Sequence, residues 1–171
     1  MNEIKNILEL KEKIIYETKP EYAPYIIFAG VGAFILSVFL AVFIGAIFRS
    51  FIAGIIIFIF IFTIIIVLAN MMYKRIFYTI TNKRVIIQSG LIGRDFKSID
   101  YDRMQNFSVD VDVIGVIFKV GNIKIFTGEM TSAGKHGGIV SKYDRFNYVT
   151  TPYEVLKKLQ TQSSARKEKV R

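Results

Sequence analysis

The chain has 171 residues, of which 52% are apolar and 22% charged, with 23 basic against 14 acidic side chains. It has no cysteine and a single histidine, which excludes disulfide scaffolds, thiolate nucleophiles and cysteine-based zinc sites. This length allows one modest domain, or a smaller domain joined to a membrane anchor.

Two long apolar stretches, residues 25–48 and 51–73, contain no charged side chain. Each is longer than the roughly 20 residues that a helix needs to cross the hydrocarbon core of a bilayer. Lipid favours helices there because a helix satisfies its own backbone hydrogen bonds. Since only Arg49 and Ser50 separate the stretches, we expect a transmembrane helical hairpin within residues 22–75.

Basic residues on the flanks of the hairpin predict its orientation. Lysines precede the first stretch and basic residues follow the second, whereas the connection holds only Arg49. The positive-inside rule therefore places both termini in the cytoplasm, with residues 1–21 as a cytoplasmic segment of a multi-pass cell-membrane protein. Residues 1–73 carry five basic and five acidic side chains, so the formal charge of +9 lies in residues 74–171.

The first apolar stretch carries a small residue at every fourth position, a pattern that lets another helix approach closely. The small residues are Ala29, Ala33, Ser37, Ala41 and Gly45. We expect this stripe to pack against the second helix of the same chain, and homo-oligomerisation is the alternative.

After the hairpin, short β-branched runs alternate with turn residues, which predicts antiparallel strands. The expected strands are residues 76–81, 85–89, 96–101, 106–111, 123–127 and 146–149, with a glycine-rich loop at 128–141. The sequence Thr-Pro-Tyr-Glu at 151–154 combines a capping box with a proline at the first helical position, so a helix is expected to about Gln160. Residues 161–171 are polar and basic and are predicted to be disordered.

The motifs of residues 76–160 resemble the bacterial pleckstrin-homology-like, membrane-flanked domain family, in which the domain follows two transmembrane helices. The motifs are Tyr78-Thr79-Ile80-Thr81-Asn82-Lys83-Arg84-Val85-Ile86, Ser89-Gly90-Leu91-Ile92, Ser98-Ile99, Asp102-Arg103-Met104-Gln105-Asn106 and Gly121-Asn122-Ile123-Lys124-Ile125. The Thr-Asn-Lys-Arg turn is the most specific of them. The resemblance implies a mainly β barrel or bent sheet, capped by a C-terminal helix and without known catalytic residues. The long loop at 128–141 departs from the family pattern.

Enzymatic chemistry is not expected. Residues 128–135 have five residues between the glycines where a P-loop has four, and His136 stands where a P-loop has serine or threonine. Asp100, Asp102, Asp110 and Asp112 are spread over strand ends and a turn, where carboxylates commonly cap turns or pair with cations. We expect no metal site and no cofactor.

Basic side chains supply the candidate binding residues. Lys135, His136, Lys142 and Arg145 lie beside glycines whose N–H groups are able to turn toward an anion. The favoured interpretation of this segment is a mobile loop with solvated charges, and loose anion binding is the alternative. Lys83 and Arg84, in the Thr-Asn-Lys-Arg turn, are further candidates for binding a ligand or partner.

Antiparallel alternation predicts which turns face the membrane. Counting strands from Lys74, the turn at 90–93 returns to the bilayer and makes Leu91 and Ile92 candidates for membrane contact. The same count returns residues 113–118 to the bilayer and directs the 128–141 loop to the cytoplasm.

These patterns predict a membrane-anchored binding or scaffold module on the cytoplasmic face that recognises a membrane-protein partner. A sensor of anionic lipid headgroups and a subunit of a small oligomeric channel or transporter are the alternatives. No nucleic-acid partner is expected.

Overall fold

The computed structural model describes residues 4, 7–91, 93, 95–133 and 138–170. The chain divides into two compact units. The helical unit comprises Tyr22–Arg75, and the β unit comprises Met1–Glu21 together with Ile76–Arg171. The segment before the helices therefore belongs to the same unit as the strands that follow them.

The helical unit is a pair of helices, α1 (Tyr22–Ile47) and α2 (Phe51–Tyr73). Both are long and apolar enough to cross a membrane. Ser50 caps α2, because its Oγ accepts a hydrogen bond from Ala53 N–H at 3.3 Å. Large apolar side chains on both helices are exposed, as on a surface that lipid would cover.

The small-residue stripe of α1 faces α2. Ala33 and Ser37 are buried, and Ala29 is partly buried. Near the connection the two backbones come so close that a Cβ on Gly54 would lie 3.1 Å from the carbonyl oxygen of Ala41. A Cβ on Gly45 would likewise lie 3.5 Å from the Cα of Gly54. The stripe thus lets the helices approach each other within one chain.

The β unit contains two antiparallel sheets. The first has the order β1-β2-β3-β4, formed by Ile14–Thr18, Phe77–Thr81, Arg84–Ser89 and Asp95–Asp100. The second has the order β5-β6-β7, formed by Asn106–Asp110, Val120–Ala133 and Gly138–Thr150. A 3-10 helix spans Tyr101–Arg103, α3 spans Val113–Phe118 and α4 spans Pro152–Val170.

The core of the β unit joins both sheets and α4. Tyr78 of the first sheet stacks on Phe146 of the second, with ring centroids 4.5 Å apart. The buried cluster consists of Tyr78, Ile80, Val85, Ile99, Tyr101, Met104, Ile123, Ile125, Phe146, Val149, Val155 and Leu159. Alternate residues of the strands enter this cluster, as expected for sheets with one face inward.

The structure corrects two expectations, the barrel and the loop at 128–141, and adds two elements that the sequence did not predict, β1 and α3. Strand β1 was not predicted from the sequence. Within the described residues the strands form two sheets rather than a closed barrel. Most of the expected loop at 128–141 is strand, because Gly128 adopts φ +82° at a register shift between Phe126 and Met130, after which pairing resumes. The apolar patch at 113–118 forms α3.

The expectation of a disordered tail from residue 161 is also wrong, since α4 continues to Val170. Polar groups of this segment make tertiary contacts. Ser163 is 3% exposed, and Lys167 Nζ donates to the carbonyl of Met104 at 3.1 Å. The polar composition of residues 161–170 therefore does not prevent this segment from packing against the β unit.

Helix α4 begins at Pro152 as predicted, but Thr151 does not cap it with its side chain. Thr151 has φ +48°, whereas a capping residue has extended backbone. Its carbonyl accepts hydrogen bonds from Glu154 N–H at 3.0 Å and Val155 N–H at 3.3 Å. A β-branched residue in this left-handed conformation is strained.

Thr151→Ala should therefore change the free energy of unfolding by no more than about 0.5 kcal/mol. Thr151→Gly should raise it by up to about 1 kcal/mol, because glycine removes the left-handed strain at some cost in chain entropy. Thermal unfolding of the full chain in mild detergent measures both, with Gln160→Ala as an exposed helical control. A loss of about 0.5–2 kcal/mol in Thr151→Ala would instead show that the hydroxyl caps the helix.

Candidate binding surface

The turn between β2 and β3 holds the segment that precedes β1. This turn, residues 81–84, is the Thr-Asn-Lys-Arg motif, and each of its four side chains bonds to residues 7–13. We call the 81–84 turn and the 7–13 segment together the clamp. It joins parts of the chain that lie on opposite sides of the two apolar helices in the sequence.

Arg84 forms the strongest contact of the clamp. Its Nε and Nη2 donate to the two carboxylate oxygens of Glu12 at 3.1 and 3.0 Å, and Nη2 also donates to the carbonyl of Ile7 at 3.1 Å. Such a bidentate pair fixes geometry as well as contributing energy. The Glu12 side chain is fully buried, and that of Arg84 is 18% exposed.

The Glu12 carboxylate has further donors. Glu9 N–H donates to Oε2 at 2.8 Å, and Thr81 Oγ1 lies 2.8 Å from Oε1. Burial raises the pKa of Glu12, but the hydrogen bonds from Glu9 N–H, Arg84 and Thr81 outweigh burial, so its pKa lies below the ordinary value. Glu12 is therefore a satisfied, ionised carboxylate.

Asn82 and Lys83 complete the clamp. Asn82 Oδ1 accepts from Lys13 N–H at 2.8 Å, and Asn82 Nδ2 donates to the carbonyl of Lys11 at 3.2 Å. Lys83 Nζ donates to Glu9 Oε2 at 2.9 Å and to the carbonyl of Leu10 at 3.1 Å. The sequence predicted Lys83 and Arg84 as binding residues for a partner, and the structure places them on acidic groups of the same chain.

Beside the clamp lies a polar cleft of about 370 Å³, lined by Glu9, Lys83, Arg84, Asp100, Asp102, Arg103 and Arg166. Arg103 and Arg166 are exposed, and neither forms an ion pair with any described residue. Asp100 and Asp102 form no ion pair within the described part of the chain, although Asp100 lies close enough to Arg84 for an electrostatic interaction. The cleft thus combines charges of both signs on one concave surface.

The other basic candidates are not gathered into one site. Lys142 lies in β7 and pairs with Glu129 of β6 at 3.0 Å, with both side chains exposed. Arg145 is an exposed β7 residue opposite Lys124. Lys135 and His136 lie outside the described residues. No group of three or more potential metal ligands occurs among the described residues.

The two candidates for membrane contact lie between β3 and β4. Leu91 is partly buried, and Ile92 lies outside the described residues. Of the scattered carboxylates, Asp110 pairs with Lys124 at 2.8 Å, and Asp112 caps α3 by accepting from Gly115 N–H at 2.6 Å.

Sequence reasoning missed Glu9, Glu12, Arg103 and Arg166. The two glutamates lie about 70 positions before their partners in the 81–84 turn, and no local periodicity reports such a contact. The sequence predicts disorder at Arg166, and therefore does not predict that Arg166 lines the same cleft as Arg103. The only local signal for these contacts in the sequence is the presence of basic residues in the 81–84 turn and near Arg166.

The sequence model described as "Bacterial PH domain" matches residues 26–167. The chain belongs to this bacterial PH domain family. The resemblance drawn from the motifs is therefore confirmed. In this PH domain protein the 81–84 turn lies within the matched range, and residues 7–13 precede it.

A solved structure is also similar, that of a DUF1696 family protein with a pleckstrin-homology domain from Shewanella loihica PV-4. The two sequences are 18% identical, and the TM-score is 0.37. The similarity covers 53% of this chain and 73% of the other. No curated protein matches the chain.

The clamp predicts unequal effects when either partner of its buried ion pair is truncated. Arg84→Ala should lower the free energy of unfolding by about 3–5 kcal/mol, because it leaves the buried Glu12 carboxylate without its counter-charge. Glu12→Ala should cost less, about 1–3 kcal/mol, because Arg84 remains partly exposed and keeps Glu9 at 3.4 Å.

Chemical denaturation in mild detergent measures both variants and their double mutant, which should lose less than the sum of the single losses. Lys142→Ala is the control, since its ion pair with Glu129 is exposed and its loss should have little effect. Equal, small losses in all three single variants would show that the clamp does not form.

Proposed function

We propose that this bacterial PH domain protein is a membrane-anchored binding module whose β unit recognises a protein partner on the cytoplasmic face. Membership of the PH domain family supports a binding role. Two helices of suitable length and hydropathy support the membrane anchor. The polar cleft is the surface proposed for the partner.

The mixed charge of the cleft is the observation that carries this proposal. Acidic and basic side chains both line it. Among the described residues Arg103, Arg166 and Asp102 form no ion pair, so two cations are available to a partner carboxylate and one carboxylate to a partner cation. A peptide surface presents both charges, whereas a phosphate headgroup would be repelled by the two aspartates. Electrostatic complementarity of this kind selects partners.

Sensing of anionic lipid headgroups is the second candidate, and the formal charge of +9 favours it. Two adjacent basic side chains are already engaged in ion pairs within the chain, since Lys83 bonds to Glu9 and Arg84 bonds to Glu12. The ion pairs of Lys97 with Asp144, Lys124 with Asp110 and Lys142 with Glu129 reduce the free positive charge further.

Sheet pairing supports a hairpin that enters the membrane and leaves it again on the same side. Thr18 pairs with Tyr78, although α1 and α2 lie between them in the sequence. The chain therefore leaves one folded unit at Glu21 and returns to it at Ile76. Two helices inserted in this way must cross a bilayer in opposite directions. The basic flanks favour the cytoplasmic side for this unit.

Reversing the free cations of the cleft should abolish recognition of a protein partner. Arg103→Glu with Arg166→Glu should reduce recovery of co-purifying protein by about tenfold or more, because attraction to a partner carboxylate becomes repulsion. The control is Arg145→Glu with Lys157→Glu, two exposed cations outside the cleft that change the charge equally. Quantitative mass spectrometry of the tagged full chain, purified in mild detergent from its native membrane, measures recovery.

The same preparations distinguish sensing of anionic lipid from binding of a protein partner. If protein recovery is equal for both variants, while anionic phospholipid bound per chain falls in the cleft variant alone, lipid sensing replaces partner binding. Loss in both variants equally would show that net charge, rather than the cleft, governs association.

Cysteine labelling tests the predicted orientation, in which the β unit lies on the cytoplasmic side of the membrane. The chain has no native cysteine, so single cysteines report position without background. Because Ser50 caps α2, Phe48→Cys is the less disruptive reporter of the connection, and Ser164→Cys reports the exposed side of α4. A membrane-impermeant thiol reagent applied to intact cells should label the first variant and spare the second. The reverse pattern would place the β unit outside.

A further inference from the structure

The short helix α3 directs apolar side chains outward. Val113, Val116 and Ile117 are 77%, 69% and 68% exposed, and their spacing places them on one face of the helix. A helix on the surface of a globular protein normally presents polar residues to water. Clustered exposed apolar residues of this kind mark a contact site.

The fold prevents α3 from turning this face inward. Gly115, on the opposite side, is buried, and a Cβ placed on it would lie 2.6 Å from the carbonyl oxygen of Val120. Asp112 Oδ1 accepts the Gly115 N–H at 2.6 Å and so closes the start of the helix. Lys119 ends it with φ +55°. The packing of Gly115 and the cap by Asp112 therefore fix the apolar face of α3 in its outward direction.

The end of the β unit that carries α3 also carries the connection to α1. Tyr148 links the two features, because its carbonyl accepts a hydrogen bond from Glu21 N–H at 2.7 Å, and Glu21 directly precedes α1. The strand that follows α3 runs beside Tyr148, since Val120 pairs with Thr150 and Asn122 Oδ1 accepts a hydrogen bond from Tyr148 N–H at 2.9 Å. Because α3 directly precedes this strand, it lies at the end of the β unit from which the chain passes into the first apolar helix.

The charges around α3 suit a phospholipid surface. The two acidic side chains before it are engaged, Asp110 with Lys124 at 2.8 Å and Asp112 with the helix start. Lys119, which follows α3, is exposed and forms no ion pair with any described residue. A lysine beside an apolar face can keep its ammonium at the headgroups while its stem lies along the acyl boundary.

We propose that α3 is a second membrane contact, in which Val113, Val116 and Ile117 enter the headgroup–acyl boundary of the bilayer and Lys119 meets its phosphates. This inference rests on the membrane anchoring in the proposed function. It adds that the β unit is held in one orientation on the bilayer, rather than moving freely on its two connections.

Tryptophan reporters test the proposal, because the chain contains no native tryptophan. The full chain is reconstituted in anionic phospholipid vesicles with or without lipids brominated on their acyl chains, which quench tryptophan emission on contact. Ile117→Trp should emit at short wavelength and lose emission with brominated lipid. Met130→Trp, at the other end of β6 and 67% exposed, should emit as in water and keep its emission.

A third reporter separates failure of this inference from failure of the anchor. Phe60→Trp, an exposed position within α2, should be quenched if the helices span the bilayer. Quenching of Phe60→Trp without quenching of Ile117→Trp overturns the α3 contact alone. If neither variant is quenched, the membrane anchor itself fails.

The reporters also separate the bilayer from other occupants. Short-wavelength emission from Ile117→Trp that brominated lipid leaves unquenched would show α3 covered by protein, either a partner or a second copy, and would overturn the proposal. Adding Val116→Asp to Ile117→Trp should remove the quenching if the face inserts as a whole.

Discussion

The buried ion pair between Glu12 and Arg84 is the interaction on which the arrangement of this protein depends. It ties a segment that precedes the two apolar helices to a turn that follows them. With that segment in place, Ile14–Thr18 becomes the edge strand of a four-stranded sheet. The helices are consequently an insertion within one folded unit, and both of their outer ends return to it.

A buried ion pair is a weak source of net stability, because desolvation of the two charges offsets much of their attraction. Its effect here is to specify register. Arg84 bonds to the Glu12 carboxylate, and Asn82 bonds to the backbone of Lys11 and Lys13, which aligns the 7–13 segment before β1 begins. Leaving either charge unpaired would be costly, so alternative alignments of this edge strand are disfavoured.

The two proposed surfaces occupy different ends of the β unit. Strand β2 runs from Phe77, whose ring lies under Lys19 Nζ, to Thr81 in the clamp. Five residues of strand separate these ends by roughly 15 Å. In the proposed arrangement the end with α3 and the chain connections meets the bilayer, and the end with the polar cleft faces the cytoplasm. Anchoring and recognition then do not compete for the same residues.

Sequence reasoning found the features that local patterns encode. Uncharged stretches of helical length predicted α1 and α2, and β-branched runs between turn residues located β2 to β5. Strand β1 was missed because its pairing partner lies beyond both helices. The glycine-rich composition of residues 128–141 predicts a loop, whereas Gly128 sits at a register shift between β6 and β7 and strand pairing continues beyond it. The sequence predicts Lys83 and Arg84 as candidates for binding a ligand or partner, but it carries no information on their contacts with acidic groups of the same chain.

Hydrogen–deuterium exchange on the intact chain in lipid nanodiscs can establish whether the sheet is completed from both sides of the helices. If the clamp forms, Ile14–Thr18 should exchange slowly, as a strand paired to Phe77–Thr81 does. In Arg84→Ala, exchange should accelerate through residues 7–18 more than in β3 and β4. Rapid exchange of Ile14–Thr18 in the unaltered chain, beside slow exchange of Phe77–Thr81, would show that the N-terminal segment is not part of the fold.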